Sequence, residues 1–264
     1  VAYTEAGDPD DRDLVLLHGV NAAATSNEWR MVFETLAEDY HVIAPDLPGF
    51  GHSDRPPLLY SASLYTTFVG EAIDDLVDEP PIVVASSLTG SYAALAARNH
   101  DVAELVLIAP TDSSMGNRAT WLRSLLRAPL VGQALYNLIA SKFSIRHFHD
   151  DHGYYDMDKL TDEVVDYEWT SGHQPGARFA PASFVSGFLD VDVDLGEKLA
   201  ELDVPVTLVW GRDADITPLS AGRELADEAD ARLVVFDDAL LLPHVEHPEQ
   251  FIDVVRGEYE QAVA

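Results

Sequence analysis

Residues 82–90 read Ile-Val-Val-Ala-Ser-Ser-Leu-Thr-Gly. The apolar run predicts a buried strand, and the small-residue segment 91–97 that follows predicts a helix. Almost no chain is left for the turn between them, so we expect Ser87 at a sharp strand-to-helix turn, at the N-terminus of the helix. A serine in that position serves either as a helix cap without chemistry or as a hydroxyl presented to a ligand.

The rest of the chain repeats this alternation of short apolar runs and helical segments. That rhythm is typical of a parallel sheet with crossover helices, and apolar strands without polar alternation predict burial on both faces. The predicted strands are 14–17, 41–45, 81–86, 105–109, 206–210 and 233–236. The predicted helices are 28–38, 64–77, 88–98, 218–229 and 248–261.

The alternation of apolar runs and helical segments stops between residues 113 and 195. An interruption of that length is too long for a connecting loop, so we expect a helical cap over the carboxyl edge of the sheet. The predicted organisation is a core of residues 1–112 and 196–264 with the cap, residues 113–195, inserted into it. Its aromatic residues either line a substrate pocket or form the cap's own small core: Tyr154, Tyr155, Tyr167, Trp169, Phe179, Phe184 and Phe188.

Acidic residues dominate the charge of the chain. There are 46 Asp plus Glu against 16 Lys plus Arg, a formal net charge of -30, and the acids are spread along the sequence. Such a field repels nucleic acid and anionic membranes. It is also typical of adaptation to high salt, where a Debye length of about 3 Å at 1 M screens the repulsion. We favour the adaptation to salt, and we expect neither nucleic acid nor membrane as a partner.

Other compositional features narrow the class of protein. The absence of cysteine excludes disulfides, thiolate metal ligands and cysteine nucleophiles. The sequence has no run of eighteen apolar residues and no basic segment before an apolar stretch at its start, so we expect a soluble, cytoplasmic protein. The expected partner is a small-molecule substrate or ligand, and the sequence leaves the oligomeric state open.

Three segments together resemble the α/β-hydrolase fold superfamily, in its capped serine-hydrolase form. They are residues 82–90, residues 14–20 (LVLLHGV) and residues 46–56 (DLPGFGHSDRP). The resemblance implies that Ser87 is the nucleophile at the elbow and that the backbone amides of Val20 and Leu88 form an oxyanion hole. It implies a structural role for residues 46–56, and no cofactor.

The sequence departs from the family pattern at the acid position. The family's acid stands three residues after the glycine that ends the strand, and here Ala214 follows Gly211 at that distance. Asp213 and Asp215 flank the position, and either serves if the loop is rotated. Asp112 is a third candidate, because some members of the fold draw their acid from the end of the preceding strand. A protein with no acid at all is the remaining alternative.

The histidine position departs in the same way. Alignment on the segment 246–248 without gaps places Leu241 where the family has its base. His244 reaches that role only if the loop is shortened by three residues; otherwise it is a surface or capping histidine. A serine hydroxyl is a weak nucleophile without an adjacent base, so this position decides the chemistry.

A group of histidines in the cap is a candidate metal site. His147, His149 and His152, with Asp150 and Asp151, supply enough ligands for zinc or nickel. Their spacing matches no metal-site signature, and on a helix they point to different faces. We therefore expect a polar helix end without a metal. No phosphate loop or dinucleotide motif is present.

Two functions from different classes follow from these residues. The first is a cofactor-free serine hydrolase of a small ester or related acyl compound, with Ser87 as nucleophile and His244 as base. The second is a catalytically impaired relative whose capped pocket binds a small apolar ligand. The second is favoured if His244 cannot reach Ser87.

Overall fold

The computed structural model describes residues 1–113 and 115–259. Within them a seven-stranded sheet has the spatial order β1-β3-β2-β4-β5-β6-β7. Strand β1 pairs antiparallel with β3, and all other pairs are parallel, which confirms the predicted parallel sheet. The strands are β1 (Tyr3–Ala6), β2 (Asp13–Leu17), β3 (His41–Pro45), β4 (Ile82–Ser86), β5 (Glu104–Ile108), β6 (Val206–Gly211) and β7 (Arg232–Phe236).

The sheet separates two apolar layers. Along β2, Val15 and Leu17 pack on one face with the helices after β3 and β4, whereas Leu14 and Leu16 pack on the other face with Trp29. Alternate residues of a strand point to opposite faces, so a strand buried on both sides is apolar throughout. Each such side chain contributes roughly 2 kcal/mol through burial.

Strand β1 is the described strand that the sequence did not predict. It is a short edge strand whose residues are exposed or half-buried, paired from Tyr3 opposite Pro45 to Ala6 opposite Val42. An exposed edge strand has no apolar run to reveal it, because its stability comes from hydrogen bonds to β3 and not from burial.

Helices of the core flank the sheet: α1 (Phe33–Leu36), α2 (Ala62–Leu76), α3 (Leu88–Ala96), α9 (Leu195–Ala200), α10 (Leu219–Ala229), α11 (Pro243–Glu246) and α12 (Pro248–Arg256). The predicted helix 28–38 is instead a 3-10 helix, Ser26–Met31, followed by the short α1. The predicted helix 248–261 is too long, because Gly257 adopts a φ of 74° and ends α12. Residues 260 and 261 of that prediction lie outside the described residues.

The segment between β5 and β6 is helical, as expected for the cap. Its helices are α4 (Thr120–Arg127), α5 (Val131–Ile139), α6 (Lys142–Phe148), α7 (Asp162–Gly172) and α8 (Phe179–Phe184). Leu189, Val191 and Leu195 already pack with the sheet. The division at residue 195 therefore stays a prediction, and the apolar core begins before it. In the described ranges no helix combines the length and apolar character required to cross a bilayer.

His41 ties three strands together at the edge of the sheet. Its Nδ1 lies 2.7 Å from Oδ1 of Asp13 on β2, and its Nε2 lies 2.9 Å from Oε1 of Glu5 on β1. Burial alone would lower the pKa of His41, but the hydrogen bonds and charges of Asp13 and Glu5 outweigh it and raise that pKa above 6.5. The protonated imidazole therefore stabilises the folded state.

The free energy of unfolding should fall as the pH rises from about 6.5 through the raised pKa of His41, because the folded protein then loses a proton that the unfolded chain has already released. Each unit of pKa shift corresponds to about 1.4 kcal/mol. Chemical denaturation at constant molar salt measures the effect. His41→Gln should remove this pH dependence, and His147→Gln, at an exposed position, should keep it. Equal pH dependence in the protein and His41→Gln would contradict the assignment.

Candidate active site

Ser87 occupies a strained turn between β4 and α3. Its backbone has φ 53° and ψ -130°, a conformation that a residue with a side chain rarely adopts. Two hydrogen bonds hold the turn: the Ser87 amide donates to the Ile108 carbonyl at 2.8 Å, and the Gly90 amide donates to the Ser87 carbonyl at 3.0 Å. The local geometry is that of a nucleophile elbow, as the sequence predicted.

The neighbours of the turn show why small residues surround it. A methyl group on Gly90 would lie 2.9 Å from Cβ of Pro110, which is too close. Thr89 replaces a glycine of the family pattern and is fully buried, and its hydroxyl donates to the His18 carbonyl at 2.8 Å. This hydrogen bond gives the Thr89 hydroxyl, which a glycine would not have, a partner inside the protein. It also joins the turn at Ser87 to the turn after β2.

The turn after β2 brings a second backbone amide to the site, beside that of Leu88. Gly19 donates its amide to Oε2 of Glu28 at 2.9 Å, which fixes the turn, and the next residue, Val20, lines the same cavity as Ser87. The amides of Val20 and Leu88 donate to no other group of the described residues. Leu88 is the first residue of α3, where the N–H groups have no partner within the helix.

The predicted structural segment 46–56 wraps around the carboxylate of Asp46. The Ser26 and His52 amides each donate to it at 2.7 Å. Gly51 has a φ of 51°, and a methyl group there would overlap the carboxylate. Burial would raise the pKa of Asp46, but the charge of His18 and these amides lower it below its usual range. The segment therefore has the expected structural geometry.

Ser87 lines a cavity of about 440 Å³ between the sheet edge and the cap helices. Its walls are mainly apolar and come from both sides of the chain. Of the seven aromatic residues predicted to line a pocket or to form a cap core, Phe184 lies in the wall and Tyr154 packs in an apolar cluster that includes other cap residues. The apolar wall includes Val20, Ile139, Ile145, Phe148, Phe184 and Leu241.

Apolar side chains occupy both sequence positions where the family has its acid and its base. Ala214 is buried with Ala109 and Trp210, and Leu241 packs against that cluster while lining the cavity beside Ser87. Leu241, the residue that the alignment without gaps places at the base position, thus lies in the same cavity wall as Ser87. Neither position offers a group that accepts a proton.

His244 lies away from the cavity, inside the apolar layer on the other side of Glu28. It is fully buried, and its ring centroid is 4.8 Å from that of Trp29 and 5.6 Å from that of Phe251. Its Nε2 lies 3.2 Å from Oε1 of Glu28. Among the described residues no hydrogen bond joins His244 to Ser87, so the geometry does not support its predicted role as base.

Glu28 is a buried carboxylate that the sequence motifs did not reveal. Burial would raise its pKa, but the neighbouring His244 and His18 and the hydrogen bond from the Gly19 amide hold the pKa of Glu28 below its usual value. The carboxylate thus supports the turn that carries Val20. Its position directly before Trp29 was the available signal, because a charged residue beside a buried tryptophan needs a partner.

The three candidate acids, Asp112, Asp213 and Asp215, do not line the cavity of Ser87. Asp213 is exposed, and Asp215 is an exposed residue whose Oδ1 lies 3.1 Å from Nδ1 of His152. Slight burial would raise the pKa of Asp215, but His152 and the Ile216 amide lower it. Asp112 is half-buried, which raises its pKa, and it lines a different cavity from Ser87. The structure does not bring any of them to Ser87.

Glu168 on α7 is the ionisable side chain that lines the cavity of Ser87, among the residues described there. Nε2 of the buried His149 lies 3.0 Å from each of its two carboxylate oxygens. The sequence did not predict this pair, because nineteen positions separate the two residues and no local pattern joins them. The pair places a proton-accepting group in an otherwise apolar wall.

The histidines of the candidate metal site point in different directions. His149 contacts Glu168 and His152 contacts Asp215, whereas His147 lies at the surface with Asp150 and Asp151, their ligand atoms within 4.8 Å of one another. The three histidines therefore point apart as predicted, whereas His147, Asp150 and Asp151 lie together, which the prediction of different faces did not include. Exposed carboxylates of this kind are common without a metal.

Glu246 connects the loop that carries Leu241 to the cap. Its Oε2 accepts from the Leu240 amide at 3.2 Å, and its Oε1 accepts from the Asp156 amide at 3.0 Å. Its carbonyl accepts from Nζ of Lys159 at 2.7 Å. The Leu241 amide in turn donates to a cap carbonyl, that of His152. The loop is therefore fixed in the position that keeps Leu241 in the cavity wall.

Comparison with known proteins agrees with this fold. A family model described as the alpha/beta hydrolase family matches residues 14–254. The chain therefore belongs to the alpha/beta hydrolase family, and the prediction of an enzyme of this class with this fold is confirmed.

Individual relatives resemble the chain over most of its length. A pimeloyl-[acyl-carrier protein] methyl ester esterase of Aeromonas hydrophila is 29% identical, over 92% of this chain and 93% of its own. A 2-hydroxymuconate semialdehyde hydrolase of Pseudomonas sp. is 27% identical, over 92% of this chain and 84% of its own. The solved 2-hydroxy-6-oxo-6-phenylhexa-2,4-dienoate hydrolase of Rhodococcus sp. has a TM-score of 0.75 at 23% identity, covering 97% of this chain and 93% of that one.

The buried contact of His244 with Glu28 and Trp29 gives a prediction about stability. His244→Ala should lower the free energy of unfolding by roughly 3 kcal/mol, because it leaves a cavity in the apolar layer beside Trp29. Chemical denaturation in high salt measures the change. His147→Ala, at an exposed position, should change it by less than about 0.5 kcal/mol. Equal effects of the two substitutions would show that the contact has no structural role.

Proposed function

We propose that this α/β hydrolase acts through Ser87 on a small ester or related acyl compound whose apolar part occupies the cavity. One observation carries the proposal: the Ser87 backbone is held in a strained conformation at the floor of that cavity. Strain of this kind costs about 1–3 kcal/mol and persists at sites that use it. The free amides of Val20 and Leu88 beside it suit a developing oxyanion.

The proposed reaction needs no cofactor. Ser87 Oγ attacks the acyl carbon as Glu168 takes its proton, and the carbonyl oxygen becomes an oxyanion facing the amides of Val20 and Leu88. The C–O bond to the leaving group then breaks, and Glu168 passes the proton to the departing alkoxide. Water attacks the acyl-enzyme with loss of a proton to Glu168, the bond from Ser87 Oγ to the acyl carbon breaks, and the proton returns to Ser87 as the acid leaves. Each oxyanion donor contributes roughly 3 kcal/mol to such a step in enzymes where it has been measured.

Glu168 is the group that we assign to take the proton from Ser87, directly or through one water. It lines the same cavity, and Nε2 of His149 lies 3.0 Å from its carboxylate and fixes its position. His244 and Asp215 do not line that cavity. A carboxylate is a weaker base than an imidazole towards a serine hydroxyl, so turnover is expected to be slow compared with an enzyme that has the family's base.

The size and polarity of the cavity define the substrate class. A volume of about 440 Å³ with mainly apolar walls suits a compact acyl group. The names of the relatives include a methyl ester esterase and a semialdehyde hydrolase. We favour an ester over a carbon-carbon bond, because an alkoxide leaves with less assistance from a proton donor than a carbanion does.

A second function, binding of a small apolar ligand by a catalytically impaired protein, is favoured by one specific observation. Ala214 and Leu241 replace the acid and the base with groups that pack well together. In the serine protease subtilisin, loss of the catalytic histidine alone costs about 10⁶ in kcat. In this alternative the fold keeps the strained turn, and Ser87 does not react with the ligand.

A fluorophosphonate probe should label the protein at Ser87 in high salt, and Ser87→Ala should abolish the labelling. Glu168→Gln should slow labelling by about 100-fold, because the amide cannot accept the proton. His244→Ala should label at a rate within about threefold of the original, provided that circular dichroism shows it folded. Intact-mass spectrometry over time measures all four rates.

The outcomes of the labelling experiment separate the proposals. No labelling of the folded protein would support the ligand-binding alternative against the hydrolase. Labelling that Glu168→Gln leaves unchanged would keep Ser87 as nucleophile and remove Glu168 as its base. Labelling that is lost in His244→Ala and kept in Glu168→Gln would restore His244 to the role of base that the sequence predicted for it.

Restoring the family's residues should increase activity. The double variant Ala214→Asp, Leu241→His places an acid and an imidazole at the two hydrocarbon positions, and we expect kcat for p-nitrophenyl acetate to rise by about 100-fold or more. Each single variant should rise by much less, because the imidazole needs the acid to orient it. A double variant that is folded and no faster would show that Ser87 itself is not poised for attack.

A further inference from the structure

One segment of the cap has the opposite charge to the rest of the protein. Residues 113–149 contain no aspartate and no glutamate, and their charged side chains are Arg118, Arg123, Arg127, Lys142 and Arg146. About six acids would fall in a segment of this length if the 46 acids of the chain were spread evenly. The segment is therefore formally positive in a chain whose net charge is -30.

The same segment exposes large apolar side chains. Trp121 of α4 is 70% exposed, Leu130 is 87% exposed, and Leu138 of α5 and Phe143 of α6 are 68% and 79% exposed. Isolated exposed apolar residues are ordinary, but four large ones on three consecutive helices and the turn between them are not. We call the exposed residues of the described segment 115–149 the acid-free face of the cap.

The acid-free face is continuous with the mouth of the Ser87 cavity. Ile139, at the end of α5, and Phe148, at the end of α6, are both partly exposed and both line the cavity. Leu138 and Phe143 are next to Ile139 and the α5–α6 connection in the sequence, and they do not line the cavity. An apolar compound therefore meets an apolar surface before it enters.

The cations of the face are held in defined positions. Arg123 and Arg127 lie over the rings of Phe188 and Phe179, at 3.4 Å and 4.9 Å from the ring centroids. In the described ranges neither is paired with a carboxylate. The other three form ion pairs with acids outside the face, Arg118 with Asp192, Lys142 with Asp166 and Arg146 with Asp162.

We propose that the acid-free face docks the protein on the surface of an anionic lipid bilayer, with the mouth of the cavity turned towards the lipid. Exposed aromatic and aliphatic side chains enter the boundary between headgroups and acyl chains, and arginine and lysine beside them contact lipid phosphates. This proposal does not require that Ser87 is a nucleophile.

The sign of the charge favours lipid over a second copy of the chain. A symmetric dimer through this face would place Arg123 and Arg127 of one copy against those of the other, which like charges oppose. A head-to-tail contact with the acidic remainder of a second copy would be heterologous, and it would bury the apolar side chains of the face against a charged surface. An anionic bilayer matches both the apolar and the cationic parts of the face.

The net charge of the whole chain does not prevent this docking. The net charge was the basis for expecting no membrane partner. However, charges farther from the lipid than one Debye length are screened, and this length is about 8 Å at physiological ionic strength and about 3 Å at 1 M. The charges nearest the bilayer are then those of the acid-free face and the three acids paired with it, and Arg123 and Arg127, which are paired with no carboxylate among the described residues, give that surface its positive charge. Apolar insertion is not screened and continues at high salt.

Co-sedimentation with vesicles tests the proposal, at the lowest salt in which circular dichroism shows the protein folded. Vesicles of phosphatidylglycerol and phosphatidylcholine should bind the protein, and pure phosphatidylcholine vesicles should bind it at least tenfold less. The double variant Leu138→Glu, Phe143→Glu should reduce binding to the anionic vesicles by at least tenfold. The matched control Met31→Glu, Tyr3→Glu adds the same charge at half-exposed positions on the core and should bind like the original.

The double variant should hydrolyse a water-soluble ester at the rate of the original protein, because neither residue lines the cavity. Failure of the proposed hydrolase would therefore leave the vesicle result intact. Three results would overturn the docking proposal: no binding of the folded protein to anionic vesicles, equal loss of binding in the control variant, or a dimer in sedimentation equilibrium that Leu138→Glu, Phe143→Glu dissociates.

Discussion

The turn between β4 and α3 is the constraint on which the site depends. A φ of 53° at Ser87 is unfavourable, so the surrounding contacts must hold it. The sheet does so through Ile108, and Thr89 links the turn to the His-Gly segment after β2. The Gly19 amide is fixed by Glu28, whose other oxygen faces His244. One buried network therefore sets the positions of the hydroxyl and of the two amides beside it.

Ala214 lies in an apolar cluster against which Leu241 packs. This packing changes the electrostatics of the site around Ser87. In the family pattern a charged pair would stand there, with its desolvation offset by mutual attraction. Here the wall beside Ser87 has no charge, and the ionisable group of the cavity comes from the opposite side, on α7. In the proposed reaction, proton transfer and substrate enclosure are functions of the same helices, which would couple any movement of the cap to the chemistry.

Much of the fold could be predicted from the sequence, because buried strands and the elbow leave local apolar patterns. The strands from β2 to β7 and the placement of Ala214 and Leu241 at the acid and base positions were predicted, since each depends on spacing along the chain. The pairs of Glu28 with His244 and of His149 with Glu168 were not, because they join residues far apart or on different helices. Strand β1 was missed because it is exposed.

The bonds of Glu246 have a consequence for how a ligand gains access. They join Asp156 and Lys159 of the cap to the loop of residues 240–246, so that side of the molecule resists opening. A hinge there would have to break two hydrogen bonds to Glu246 at once, one from the Asp156 amide and one from Nζ of Lys159. We therefore expect a ligand to enter where the wall of the cavity is exposed to solvent, beside Ile139 and Phe148.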